Sequence, residues 1–548
     1  MIMQKTMSRY IHFTLLSVLV AGALPAVAQQ ENDSLLQQQT IDIYNVYQPT
    51  LRAAAKLNLN TSLPQSSQSQ PNLVYSIPSQ NLYFTYAPVP LKPLAIGIDT
   101  SSEQGYNSYL KAGIGNHSTP LLQAGFSNGK DLPFQYGLNF NYVASKGELD
   151  NQQFSRANLL LHGKYFTGNQ AFHAAVGYDR HGIRYYGYDH DTTKLREDDV
   201  KQVFNTFSFK VGMENTAPNG IKLDYQPEIG LKSFFDKYNH TETSFLLDIP
   251  LQKAIVKDIY LSAELKADLS KYKDDDYTYN NTLVSLHPAV VISKEHFMLH
   301  AGVNPTWSMG KFFLLPDIVN ETDLIKDKLI LSSGWIAYFD KNSYGNLVKE
   351  NPFIHTFNDP LNTRIVEKYT GIKGSIDSHF SYNTKFAFIN FYDRQLFLND
   401  SLYGNRFDLT NEEELKAYEF HAELGYSLGE KFQAKISGSW YNYFDQTTEA
   451  KPWGLRPFTG NLSVQYGLKQ LLLHADLYGL SGSWYRTPEG GAAKTDGGFD
   501  LNLGGSYEFA RQFSVWINAN NLFNSHYQRW NQYPSIGTTL MGGIMIKF

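Results

Sequence analysis

From Tyr106 onward the chain exchanges apolar for polar residues at every second position. In the stretch FQYGLNFNY, Phe134, Tyr136, Leu138, Phe140 and Tyr142 alternate with Gln135, Gly137, Asn139 and Asn141. A period of two puts the first set on one face of an extended strand and the second set on the other. The alternation returns in FHAAVGYD from Phe172, NTFSFKVGM from Asn205, KLDYQPEIGL from Lys222, KFQAKISGSWYNYF from Lys431 and LLLHADLYGL from Leu471. About 22 such segments fit between Tyr106 and Phe548, the faintest being Phe312 to Asn320 and Val366 to Ser378. Each strand with its connection then takes about 20 residues, the spacing of barrel hairpins.

A single strand of this kind suits a soluble sandwich as well as a barrel, so the connections decide. Short links fall at 167–170, 293–295, 428–431, 468–470 and 510–512. Long polar links separate them at 182–199, 271–280, 341–365, 395–415, 444–456, 482–498 and 522–535. Short periplasmic turns alternating with long external loops are the asymmetry of outer-membrane barrels, and a sandwich has no reason to keep it. The fold class read from the pattern is all-β: a transmembrane antiparallel β-barrel of about 22 strands, preceded by a short irregular proline-rich segment. An even strand count brings both chain ends to the short-turn, periplasmic side, and it turns Phe134 and its partners to lipid and Asn139 and its partners to the lumen.

Composition qualifies this picture without changing it. Mean hydropathy is -0.36 and no apolar run after the leader is long enough for a membrane helix, yet Tyr, Phe and Trp number 37, 35 and 7 beside 41 Gly. Barrels evade hydropathy because each strand averages a lipid face with a lumen face. The net charge of -5 offers no basic footprint for nucleic acid. Lys5 and Arg9 precede the apolar run from Phe13 to Leu24 and the small-residue site Ala26-Val27-Ala28. That order predicts a secretory signal peptide, residues 1–28, with Ala26 and Ala28 forming the cleavage signal. The chain has no cysteine, which excludes disulfides, thiol catalysis and a lipidated N-terminal cysteine. Seven of the 22 prolines fall in residues 29–105, predicting a periplasmic tether rather than a folded domain, with the barrel occupying 106–548.

In the final TLMGGIMIKF, Leu540, Gly542, Ile544, Ile546 and Phe548 share one face. A terminal Phe548 with Ile546 two before it and Gly543 five before it resembles the signal that barrel assembly machinery reads, although Met541 stands where a polar residue is usual. The segment Asn518 to Phe548 resembles the closing hairpin of TonB-dependent receptors, through Asn521-Leu522-Phe523, Tyr527, Tyr533-Pro534, Gly537 and Phe548. Thr538 replaces an arginine often found there. YQPTLRAAAKLNLNTSLPQ from Tyr47 and NSYGNLVKENPF from Asn342 are similar to a Bacteroidota group of receptor-like barrels. The resemblance implies a 22-strand barrel, but the 77 residues 29–105 are too few for the plug of such receptors and match neither its motifs nor a TonB box. A lumen this wide must be filled by the tether, by inward-folded loops such as 341–365, or by another protein. A partner is the favoured filler, because an irregular tether crosses a lumen without packing it.

Candidate chemistry is sparse. Asp189 to Asp191, DHD, with His181 offers ligand types for a divalent ion, and KDDDY at 273–277 offers carboxylates, but solvated loops explain both. The stretch 488–498, PEGGAAKTDGG, reads as a mobile loop tip. No nucleophile, base and orienting acid stand at recognisable spacing, so an enzyme is not expected and no cofactor or metal is called for. Two function classes follow. The first is a non-catalytic scaffold or accessory barrel of an outer-membrane complex, for barrel assembly or surface-lipoprotein handling, which the short pre-barrel segment favours. The second is a receptor-like uptake channel for a bulky nutrient. Expected partners are outer-membrane lipid, the barrel assembly machinery, and a surface lipoprotein or second barrel, with no nucleic acid.

Overall fold

The computed structural model describes residues 107–548 apart from 130–131, 218, 356, 358–359, 378, 401–403 and 430. The predicted leader with Ala26 and Ala28, and the tether, lie outside the described residues. Twenty-three strand segments form one antiparallel sheet. Two of them, Leu223–Tyr225 and Glu228–Phe235, pair with the same strand, Thr241–Val256, and are the halves of a single stave broken at Gln226 and Pro227. Proline lacks the N–H that a central strand needs, and the ladder is interrupted there. The sheet therefore has 22 staves. It closes on itself, because the first strand Tyr109–Gly115 pairs with the last, Thr539–Lys547, in a register that sets Gly113 against Gly543. Closure removes the open edges that hydrocarbon cannot solvate.

Both faintest segments are strands, Lys311–Ile325 and Thr363–Ile376. The two ends of the barrel differ as the link pattern predicts. At one end hairpins turn within two or three residues, as at 168–169, 257–258, 326–328 and 511–512, with Gly168 and Asp258 in the left-handed region at φ 53° and 66°. Both termini of the barrel lie at this end. At the other end stand the links 185–200, 341–362, 445–457, 481–497 and 521–538.

Two links are shorter than the sequence suggests. Residues 271–280 contract to a four-residue turn, 274–277, and most of 395–415 is strand, because Phe380–Asn399 and Phe407–Leu428 run for 20 and 22 residues. About ten residues cross a bilayer, so this hairpin projects well beyond it. The polar run NEEEL misleads because Glu412 is fully buried, its carboxylate accepting the backbone N–H groups of Thr447, Thr448 and Glu449 from the neighbouring loop. Likewise 488–498 is not a bare tip: Trp484–Arg486 and Ala492–Lys494 pair there as a small hairpin.

The faces sort as expected. Phe134, Phe386 and Phe420 are 52%, 47% and 46% exposed on the outer surface. One residue along the strand, Lys385 points inward and pairs with Glu367 at 2.8 Å and Glu419 at 2.7 Å. Lys373 with Glu321 and His300 with Asp317 repeat the device around the inner wall. Among the described residues no helix is long and apolar enough to cross a membrane.

Candidate functional site

The largest buried apolar cluster gathers at the long-loop end of the barrel, among side chains of several loops: Tyr185, Tyr344, Leu347, Phe353, Trp530 and Tyr533 are members. Its spine is the link 341–362. Ser343 caps a short helix, Tyr344–Glu350, by accepting the N–H of Asn346 at 3.3 Å. Tyr344, Leu347 and Val348 form its buried face, and Asn351-Pro352 ends it, since proline cannot continue the ladder. Beyond the helix, Phe353 and Ile354 run beside Phe407, with Phe407 N donating to Phe353 O at 2.9 Å and His355 N to Phe407 O at 2.8 Å.

The root of this loop is tied to its own side of the barrel. Lys341 donates to Asp268 and Ser270 at 2.5 and 2.7 Å, and Asn362 exchanges hydrogen bonds with Asn281. Its body reaches much further round the ring. Tyr344 N and Gly345 N donate to the Glu242 carboxylate at 2.6 and 3.3 Å, and the Tyr344 hydroxyl donates to Asp236 at 2.8 Å. Phe353 stacks on Tyr533 with ring centres 3.6 Å apart and meets Tyr185 and Tyr186 edge-on. Glu350 accepts from Arg394 at 2.8 Å. One loop thus touches the fifth, seventh to tenth, fifteenth and sixteenth staves or the links beside them, and the link before the last strand. Only a segment that crosses the lumen does so.

The link 521–538 meets it from the opposite side. Asn521 organises this loop by donating to Ser525 O and Ile536 O and accepting from Ser525 N. Tyr533 donates to Asn405 O, and Trp530 wedges between Phe397 and Phe407. Asn521 and Tyr533, two of the residues that resemble a receptor's closing hairpin, therefore help to build this closure. Burial drives the Tyr344 and Tyr533 phenols well above their ordinary range. At His240 burial opposes the charge, but the hydrogen bond and field of Asp236 outweigh it, and the imidazole pKa rises above 6.5.

The sequence-derived metal candidates do not converge. Asp189 accepts from Asp191 N and Thr192 Oγ1, the His190 ring contacts Tyr186 O, and His181 sits on the barrel wall away from them. In KDDDY, Asp274 accepts from the Tyr272 hydroxyl and from Asp276 N. Among the described residues no three His, Asp or Glu side chains gather as ligands. Gly543 packs where a Cβ would strike the Ala112 carbonyl, Ile546 pairs across the seam with Leu110, and the Phe548 backbone bonds to Ser108. The sequence offers 341–365 as one candidate inward-folded filler, and within it the serine and terminal Asn-Pro of NSYGNLVKENPF mark a helix inside a loop.

No protein-family model matches the chain, and no curated protein does. Solved structures do. The FrpB iron transporter from Neisseria meningitidis (F3-3 variant) aligns with a TM-score of 0.64 at 12% identity, over 81% of this chain and 82% of that one. The siderophore receptor PirA from Acinetobacter baumannii aligns with a TM-score of 0.63 at 11% identity, over 80% of each chain. The pyoverdine outer membrane receptor FpvA from Pseudomonas aeruginosa PAO1 gives 0.61 at 12%, over 81% and 78%. With its 22 closed staves and short-turn and long-loop ends, the chain has the barrel fold of outer-membrane receptors.

Proposed function

We propose that the protein is an outer-membrane uptake channel for a bulky nutrient, with the long loops outside, the termini periplasmic, and the loop 341–362 as its outer closure. The carrying observation is a 22-stave receptor-type barrel whose lumen is bridged by one of its own loops rather than left open. The neighbours support uptake over the scaffold role that the short pre-barrel segment favoured, since they are named as an iron transporter and as siderophore and pyoverdine receptors. Their cargo makes ferric siderophores the first class to test. The bridging loop also supplies part of the closure for which a partner was expected; a tether contribution lies outside the described residues. Cells lacking the protein should lose uptake of at least one radiolabelled ferric siderophore or other bulky nutrient, with an unchanged outer-membrane proteome. Intact uptake across the panel together with depletion of other barrels or lipoproteins would refute the channel and restore the scaffold.

A further inference from the structure

The inner wall beside the closing seam is apolar, unlike the wall that carries the ion pairs of Lys373 and Lys385. Lys111 on the first strand, Leu121 on Thr119–Ser127, Trp516 on Phe513–Asn520, and Met541 and Met545 on the last strand all face the lumen. They alternate with the exposed outer residues Leu110, Leu122, Val515 and Ile544. Trp516, Met541, Met545 and Leu121 form one cluster whose members all come from the wall itself. The indole lies flat across Gly113, where a Cβ would strike it. Gly113 faces Gly543 across the seam, so neither raises a side chain over the strip, yet Met545 is only 3% exposed.

Two polar groups in this strip are incompletely satisfied. Lys111 is 8% exposed; its amine has the Trp516 ring at 4.3 Å and, among the described residues, no carboxylate within 4 Å. Glu508 on the same wall is taken by Lys547 at 2.8 Å. A buried ammonium loses more in hydration than one ring face returns. The Trp516 Nε1 is also buried and has no acceptor. Such a strip fits an extended peptide with apolar residues along one face and a carboxylate near its end.

The chain itself brings such a peptide to this place. Ser108 exchanges backbone hydrogen bonds with Phe548 at the short-turn end of the seam, so the residues before it arrive beside the strip. Residues 94–103, LAIGIDTSSE, lie outside the described residues. Their sequence puts Leu94, Ile96 and Ile98 at every second position, followed by Asp99 and Glu103, and no Lys, Arg or His falls between Pro93 and Leu110. The four residues from Glu103 to Asn107 span up to about 13 Å, and Lys111 stands about 10 Å along the strand from Ser108, so a carboxylate reaches it.

We propose that residues 94–103 turn back into the lumen and dock on this strip, with Leu94, Ile96 and Ile98 over Trp516, Met545 and Leu121, and Asp99 or Glu103 paired with Lys111. The first strand is then clamped to the last from inside, and the residues before 94 start within the lumen. The clamp does not depend on the uptake reading, since a scaffold barrel would keep it as well.

The chain has no cysteine, so Leu121→Cys supplies a single thiol. Full-length protein carrying it, purified in detergent, is labelled with a charged water-soluble maleimide, and gel mobility before and after heating verifies that each form is folded. Deleting 94–103 should speed labelling about tenfold or more, and so should Asp99→Lys combined with Glu103→Lys, since a charged contact is lost. Ser262→Cys, facing the lumen from the ninth stave, should label at one rate in all forms. The charge-reversed form carries the test if the deletion does not fold. Labelling of the parent as fast as of both altered forms overturns the docking, and acceleration by the deletion alone overturns the pairing with Lys111. Protection present in native membranes and lost on purification assigns the strip to a separate protein and overturns the proposal as well.

Discussion

Replacing Glu242 tests whether the crossing loop is held by its helix start. The carboxylate is 1% exposed and accepts from Tyr344 N at 2.6 Å and Gly345 N at 3.3 Å. Both amides belong to a first helical turn, where no intrahelical partner exists and the helix dipole favours negative charge. Glu242→Gln keeps an acceptor of the same shape and removes the charge, whereas Glu242→Ala leaves two buried donors with nothing. The short bond to Tyr344 carries most of the effect, because a charge-assisted hydrogen bond contributes about 1.5–3 kcal/mol and an orphaned buried amide costs about 1–3 kcal/mol. Lys232 and Lys349 add to it. Repulsion from Lys232, with burial second, already holds the Lys349 amine below its usual range, and Glu242 opposes that shift. Loop docking should therefore weaken by about 2–4 kcal/mol in the alanine variant and about 1–2 kcal/mol in the glutamine variant. Exchange of the amides 344–351, measured by mass spectrometry on the folded barrel, should accelerate about 30- to 1000-fold and about 5- to 30-fold respectively. Strand amides should keep their protection. Unchanged exchange in the alanine variant, or equal acceleration in the two variants, would refute the view that this carboxylate latches the loop by its charge.

Other expectations follow from the same geometry. His240 has a folded pKa raised above 6.5, so its contribution to docking is complete below that value and is lost as pH rises through the folded pKa. Protection of 344–351, corrected for intrinsic exchange, should fall as pH rises above 6.5, and His240→Gln should abolish the dependence. Phe386→Lys, on the outer face beside Tyr418, should cost about 2–4 kcal/mol in a lipid-refolding titration if it lies near the midplane, and Asn139→Lys, on the lumen face, much less; a reversed order would mean that the faces are misassigned. Epitope tags at Asn405 and Gly429 fall at opposite ends of the barrel. On intact cells only the first should be labelled, and labelling of Gly429 alone would invert the topology.

The staves were legible because a sheet with lipid on one side and water on the other imposes a strict period of two. Even the segments around Phe312 and Val366 kept it. Heights were less legible, since the pattern changes meaning above the membrane. Along 395–415, Leu396, Leu398 and Phe407 are buried in loop-built clusters, Leu415 is fully buried, and Glu412 serves a neighbouring backbone. Polarity there reports a partner and not a turn. The closure was least legible. Tyr344, Phe353 and Tyr533 are separated by up to 189 positions and join one cluster only because two links converge over one lumen. The serine cap marks the helix locally, yet nothing local says that its first turn will find Glu242 on a stave distant in sequence.

The contacts that hold this loop fall into two kinds, and they differ in what displacing the loop would cost. Asp236, Glu242, Lys341 and Asn362 give up hydrogen bonds that water supplies again once the lumen floods, so each contributes only about 0.5–1.5 kcal/mol net, with charged groups somewhat above that. Phe353 has no such substitute. It is 1% exposed, stacked on Tyr533 and flanked by Tyr185 and Tyr186, and transferring it to water costs about 1.5–3 kcal/mol before the aromatic pairs are counted. The polar ties therefore set where the loop docks, and the aromatic tip sets how firmly. A ligand lowers the work of opening only if it binds the displaced state better than the docked one. At this end of the barrel that differential lies in apolar or planar surface that can take the place of Phe353 against Tyr533.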